Sequence, residues 1–163
     1  MLACVDVDYR PDHAIAACVM FTHWQDASPS NTAVARIDDV EPYTPGQFYK
    51  RELPCLLEVL RPFAGQLNVV VVDGYVWLGQ DHPGLGAHLY EALGRRTAVI
   101  GVAKTHFHGA PAEEVLRGIA SRPLFVTAVG LDVVDAAAHV WSMHGEYRLP
   151  ALLKLVDRAC RTG

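Results

Sequence analysis

The chain has 163 residues, 51% of them hydrophobic and 20% charged, which is enough for one domain with a sizeable core, expected over residues 1–163. No apolar run approaches the length of a bilayer span, and Met1–Asp6 lacks the basic and long apolar regions of a secretory leader. The expected location is therefore cytoplasmic, with no membrane partner. The net charge of −4 is uneven: residues 1–82 sum to −6 and residues 83–163 to +2. An acidic balance opposes non-specific binding to nucleic acid, which rewards Lys and Arg; a local acid cluster offset by a cation escapes that objection. Cys4, Cys18, Cys55 and Cys160 are scattered without a C-x-x-C pair, which argues against zinc and against a disulfide framework and for reduced thiols.

Met1–Tyr9 alternates with period two, so Leu2, Cys4, Asp6 and Asp8 share one side of a strand. A turn at Arg10–His13 leads to a second apolar run, Ala14–Phe21, and a polar stretch separates that from a third, Thr32–Ile37. Three strands with turn-rich links predict an antiparallel meander. Two prolines and a glycine within Pro42–Gly46 exclude regular structure there. Tyr49, Leu53, Leu56, Leu57 and Leu60 then fall on one helical face, with Glu52 near the helix start. Pro54 belongs in a first turn or marks a kink.

Asn68–Gly74, N-V-V-V-V-D-G, reads as a central strand buried on both faces, ending in Asp73 and a glycine that permits a tight turn or close approach by a ligand. A helix over Gly86–Leu93, a strand over Thr97–Val102 ending near Lys104, a short amphipathic helix over Ala112–Ala120 and a strand over Leu124–Val129 follow. Two helices, Val133–Met143 and Pro150–Arg161, close the chain. The order predicts an α/β, ribonuclease H-like mixed sheet: an antiparallel three-strand meander plus parallel strands, flanked by helices.

Ligand sites in such sheets lie outside the carboxyl ends of the strands. Asp6 occupies a mid-strand position that ought to be apolar, and a buried carboxylate persists only with a partner. It faces solvent if its strand is an edge. If that strand lies beside Val69–Asp73, Asp6 and Asp73 approach each other, and a divalent cation would relieve their repulsion. Carboxylates without thiolates favour Mg²⁺ or Mn²⁺ over zinc. Glu52 reads equally as a helix-start acid, Lys104 as a solvated lysine or a phosphate contact, and Tyr43 as a packed loop aromatic or a probe for a nucleobase. His106 and His108 would share one face of a strand, where such a pair usually meets water. No serine-hydrolase elbow, P-loop or dinucleotide fingerprint is present.

V-D-V-D-Y at 5–9, P-Y-T-P-G-Q-F-Y-K-R-E-L-P at 42–54, V-V-V-D-G at 70–74, H-P-G-L-G at 82–86, G-V-A-K at 101–104 and G-E-Y-R-L-P at 145–150 resemble, in order, the motifs of the endonuclease V family. The resemblance implies a ribonuclease H-like fold and metal-dependent hydrolysis, with Mg²⁺ or Mn²⁺, of nucleic acid (DNA or RNA) near inosine. By position it implies Asp6, Glu52 and Asp73 as metal-binding carboxylates and Lys104 beside the scissile phosphate. Pro42, Tyr43, Thr44 and Pro45 would form a wedge filling the space of an extruded base, and Gly74 would line the base pocket. Asp157 stands where the family has a metal-proximal histidine, and Gly84 where it usually has arginine. A descendant that binds without cutting, and a phosphodiesterase for another nucleotide substrate, remain open alternatives.

Overall fold

The computed structural model describes residues Met1–Gly163. Seven strands form one sheet: β1 (Leu2–Tyr9), β2 (Ala14–Phe21), β3 (Asn31–Ile37), β4 (Val69–Asp73), β5 (Ala98–Ala103), β6 (Glu113–Val115) and β7 (Leu124–Val129), in the spatial order β3-β2-β1-β4-β5-β7-β6. The first three strands pair antiparallel as the predicted meander, and β1, β4 and β5 run parallel. The arrangement is ribonuclease H-like. β1 is therefore an interior strand, which removes the edge-strand account of Asp6.

Four helices cover the sheet: α1 (Phe48–Leu60), α2 (Leu85–Ala92), α3 (Val133–Ser142) and α4 (Ala151–Thr162). Alternation along the strands divides the core. Leu2, Cys4, Val71, Ile100 and Val102 pack against Ala136, Val140, Leu152, Val156 and Cys160 of α3 and α4. Ala3, Val5, Val70, Val72 and Val99 face the other way, onto Cys55, Leu56, Val59 and Leu60 of α1 and Leu89 of α2. Val70–Val72 are thus covered on both sides, as a run of β-branched residues in a parallel sheet should be.

Two sequence expectations are corrected. Ala112–Ala120 is not a helix: β6 occupies part of it and pairs antiparallel with β7. A helix here would have to bury Leu116 and Ile119, which are 55% and 78% exposed, while pairing satisfies the open edge of β7. Gly118, at φ +52° against the backbone of Glu146, turns the chain where a side chain has no room. Of the two accounts of Pro54, the first-turn one is excluded: it lies inside α1, so the Lys50 carbonyl loses its usual partner.

Gly101 of β5 shows how tightly the carboxyl edge is built. A Cβ there would sit 2.6 Å from Thr127 Oγ1 and 2.9 Å from the Val76 nitrogen, and would also meet the Gly74 carbonyl. Thr127 Oγ1 accepts from that same Val76 N–H at 2.8 Å. Gly101→Ala is expected to lower unfolding free energy by about 1–3 kcal/mol through overpacking, read by urea denaturation.

Candidate active site at the carboxyl edge of the sheet

The parallel register Val5↔Val72 between β1 and β4 places Asp6 and Asp73 at the next pair of positions, just where the sheet ends. Both continue the series Leu2, Cys4 and Val71 on the α4 side of the sheet. Asp157 comes from α4 itself. Glu52 comes from α1, on the opposite layer, and reaches the same edge. Together with Gly74, Lys104, Tyr9, Asp8, Phe48, Cys160 and Arg161 they line one cavity of about 440 Å³.

Each acid is held by a protein partner. Asp6 Oδ1 accepts from the Val7 N–H at 2.9 Å, and Glu52 Oε2 from the Tyr9 hydroxyl at 3.1 Å. Lys104 Nζ donates to Asp73 Oδ2 at 3.3 Å, and Arg161 Nε to Asp157 Oδ1 at 2.9 Å. Arg10 ties Asp8, at 2.9 Å, to the carbonyls of Cys160 and Arg161 at the end of α4. Turned to these partners, no three carboxylates close around a single point as they stand.

The electrostatics fit a cation all the same. Burial pushes the Asp6 carboxyl up to about 6, and the charges of Asp73 and Asp157 push it further in the same direction. Glu52, 5% exposed, is pushed up to about 8, first by burial and then by Asp6 and Asp73, against the Tyr9 hydrogen bond. The Cys160 thiol is pushed up to about 12 by burial and by Asp6 and Asp157, so it stays protonated and is no soft ligand. Five carboxylates, with no imidazole and no thiolate among them, line the cavity, an oxygen donor set suited to Mg²⁺ or Mn²⁺.

The match to known sequences decides the family. The profile described as Endonuclease V matches residues 1–133. The chain belongs to the endonuclease V family. An endonuclease V from Streptomyces coelicolor is 36% identical, with 96% of this chain and 76% of the relative aligned, and one from Xanthomonas axonopodis pv. citri is 30% identical over 100% and 78%. Among solved structures, endonuclease V from Streptomyces avermitilis superposes with a TM-score of 0.78 at 26% identity, covering 99% of this chain and 79% of that one. The Ciona intestinalis enzyme, in complex with DNA containing an inosine, superposes with a TM-score of 0.84 at 18% identity, covering 99% and 84%. The family is one of nucleases.

Of the residues that endonuclease V resemblance implies, the structure brings Asp6, Glu52, Asp73, Gly74, Lys104 and Asp157 to one cavity and leaves the Pro42–Pro45 loop outside it. That loop ends in Gly46, at φ +74°, and Tyr43 projects from it 60% exposed. Gly46 does border a second cavity of about 260 Å³, lined also by Phe48, Tyr49, Tyr75, Leu78, Pro83 and Leu85 and joined to the first through Asp73 and Gly74. At φ +127° Gly74 holds a backbone shape closed to other residues.

The departure from the family pattern at Gly84 has a local cause. At Gly84 a Cβ would lie 2.6 Å from the Tyr75 carbonyl, leaving no room for the usual arginine. Asp132, beside Gly130 and Leu131, caps α3 by accepting from the Val134 and Asp135 N–H groups at 2.8 and 3.2 Å. His106 and His108 lie in a loop after β5, not on a strand. Residues the sequence reading did not place in the site are Val7, Asp8, Tyr9, Phe48, Cys160 and Arg161. Asp8 shares the period-two side of Asp6, and Arg161 is one helical turn from Asp157, so both signals were present.

Proposed function

We propose that this chain is a metal-dependent endonuclease that hydrolyses a phosphodiester bond of nucleic acid near a deaminated base, inosine, leaving 5′-phosphate and 3′-hydroxyl ends. One observation carries the reading: Asp6 and Asp73, distant in sequence, stand side by side at the ends of two parallel strands, in one cavity with Glu52, Asp157 and Lys104. The inosine-containing DNA bound by the Ciona intestinalis relative supports the substrate class. Four free, buried cysteines suit work in a reducing cytoplasm.

Asp6, Glu52, Asp73 and Asp157 would hold Mg²⁺, with Mn²⁺ as substitute. When bound, the ion supplies an acidified water and neutralises charge on the scissile phosphate. The remaining work falls to the chain. Lys104, paired with Asp73 and half-exposed, is placed to swing its ammonium onto a non-bridging phosphate oxygen. Water attacks phosphorus as the P–O3′ bond breaks, and the 3′ oxygen takes up a proton. Glu52, protonated near neutral pH until an ion binds, is the acid whose charge answers most to loading. The apolar cavity beside Gly74 would take the extruded base, and Tyr43 would fill the gap left in the stack.

Labelled single-stranded DNA and RNA, with and without one inosine, test this in Mg²⁺, Mn²⁺ or EDTA. Nicking that needs both inosine and metal supports the proposal, and intact strands under every condition overturn it. Tyr43→Ala, on a side chain with little packing to lose, is expected to leave the unfolding temperature unchanged. Cleavage at inosine within a duplex should fall about 10-fold or more, as the stacked filler is lost.

A further inference from the structure

A cavity of about 640 Å³, larger than the carboxylate site, lies beside it. It lies between the loop His144–Leu149 and α4 and is lined by His144, Glu146, Tyr147, Lys154 and Arg158, with Leu149 and Leu155 at its apolar wall. We infer that this cleft is a second contact for the substrate strand, in which Lys154 and Arg158 bind phosphates next to the one being cut and Tyr147 stacks on a base. The inference rests on the nuclease reading above and extends it.

Four observations carry it. First, Lys154 and Arg158 are exposed one helical turn apart, both line the cleft, and neither forms an ion pair. Like charges at that spacing destabilise a helix, so the pair is not there for the helix. Second, Glu146 is the single acid in the lining, in a protein whose net charge is −4. Third, Tyr147 is 52% exposed, with Lys154 Nζ held 4.1 Å from its ring centroid, so an aromatic face and an ammonium are presented together. That combination is what a single strand recognises: cations for the backbone and a platform for the bases.

Fourth, the cleft is physically tied to the catalytic edge. Leu149 lines both the cleft and a smaller recess formed with Asp6, Asp73, Lys104 and Asp157. On α4, Asp157 faces the carboxylate cavity, while Lys154 lies one turn before it and Arg158 directly after. The loop is braced from behind by Arg117, buried at 2% exposure, which donates to the carbonyls of Met143, Gly145, Tyr147 and Arg148. Arg148 in turn donates to the Lys104 carbonyl at 2.5 Å and to that of Pro123 at 2.6 Å. A strand with its scissile phosphate at Lys104 therefore meets a preformed, rigidly backed cleft as it leaves the site.

The test is binding of fluorescein-labelled, inosine-containing single strands in EDTA, followed by anisotropy across a range of KCl. Lys154→Gln/Arg158→Gln should reduce the slope of log K against log salt by about 1.4, two phosphate contacts on a single strand. It should also abolish the gain in affinity that comes from lengthening the strand on one side of the inosine. Its unfolding temperature should match or exceed that of the native protein, since a like-charge pair is relieved. Arg61→Gln/Arg96→Gln, in the turns leading into β4 and β5 at the far edge of the sheet, serves as the control for net charge. An unchanged slope, or an equal change in the control, overturns the inference. Nicking by the native protein is scored separately: loss of slope without any native nicking still supports the cleft, while native nicking with an unchanged slope ends the cleft proposal alone.

Discussion

Asp73→Asn is expected to fold, to bind an inosine-containing strand, and to nick it on the order of 1000-fold more slowly than the native protein. The physical basis is charge. Asp73 sits at the exposed carboxyl end of β4, so the isosteric amide disturbs no core contact, and its partner Lys104 is itself half in solvent. What the amide cannot do is neutralise a divalent cation beside Asp6. Loss of one such electrostatic contribution to the transition state costs about 4 kcal/mol, which is about three powers of ten in rate. Single-turnover nicking in Mn²⁺ with binding measured in parallel is the check. A variant that nicks within tenfold of the native rate would remove Asp73 from the reaction and, with it, the proposed pairing with Asp6.

Glu52→Gln should stabilise the metal-free protein while inactivating it. Burial holds Glu52 at about 8 and Asp6 at about 6, both above the ordinary carboxylate range. Folded carboxyls raised in this way bind protons that the unfolded chain has already released. Their stabilising contribution is complete at low pH, is lost as pH rises from about 4.5, and is gone above about 8. The metal-free native protein should accordingly unfold at a lower temperature at pH 8.5 than at pH 5.5. Glutamine still accepts from the Tyr9 hydroxyl and carries no charge, so the variant should gain about 2 kcal/mol at pH 8.5, or roughly 4–8 °C for a chain of this size. At pH 4 the two proteins should unfold together. Mg²⁺ or Mn²⁺ should raise the unfolding temperature of the native protein at pH 8.5 and leave the variant nearly unmoved. Equal unfolding temperatures for the two metal-free proteins across this pH range would mean that Glu52 bears no buried charge.

These expectations turn on groupings that local sequence encodes only in part. The run Val69–Val72 announced a central strand because four β-branched apolar residues have no polar side to offer water, and it is covered on both faces. The meander was equally plain, since its runs and turns are local. Period-two alternation also put Asp6 on the side of Leu2 and Cys4. The Ala112–Ala120 stretch misled for the complementary reason. Its apolar spacing suits a helix, but the edge of β7 needed a partner, and inter-strand hydrogen bonding outweighs a weak helical preference over so short a segment.

Legible in the chain alone, then, were all the elements but β6, the side of the strand that Asp6 takes, and the acid-bearing motifs of the family. Which acid meets which was settled by packing. The β1–β4 register that sets Asp6 beside Asp73, the approach of Glu52 from the opposite layer, and the burial that keeps it protonated all arise between elements. So does the cradle of carbonyls around Arg117 that braces the second cleft. Periodicity reports a residue's direction relative to its own backbone. Its neighbours across the sheet follow from the combined fit of both core layers, and no stretch of sequence contains that by itself.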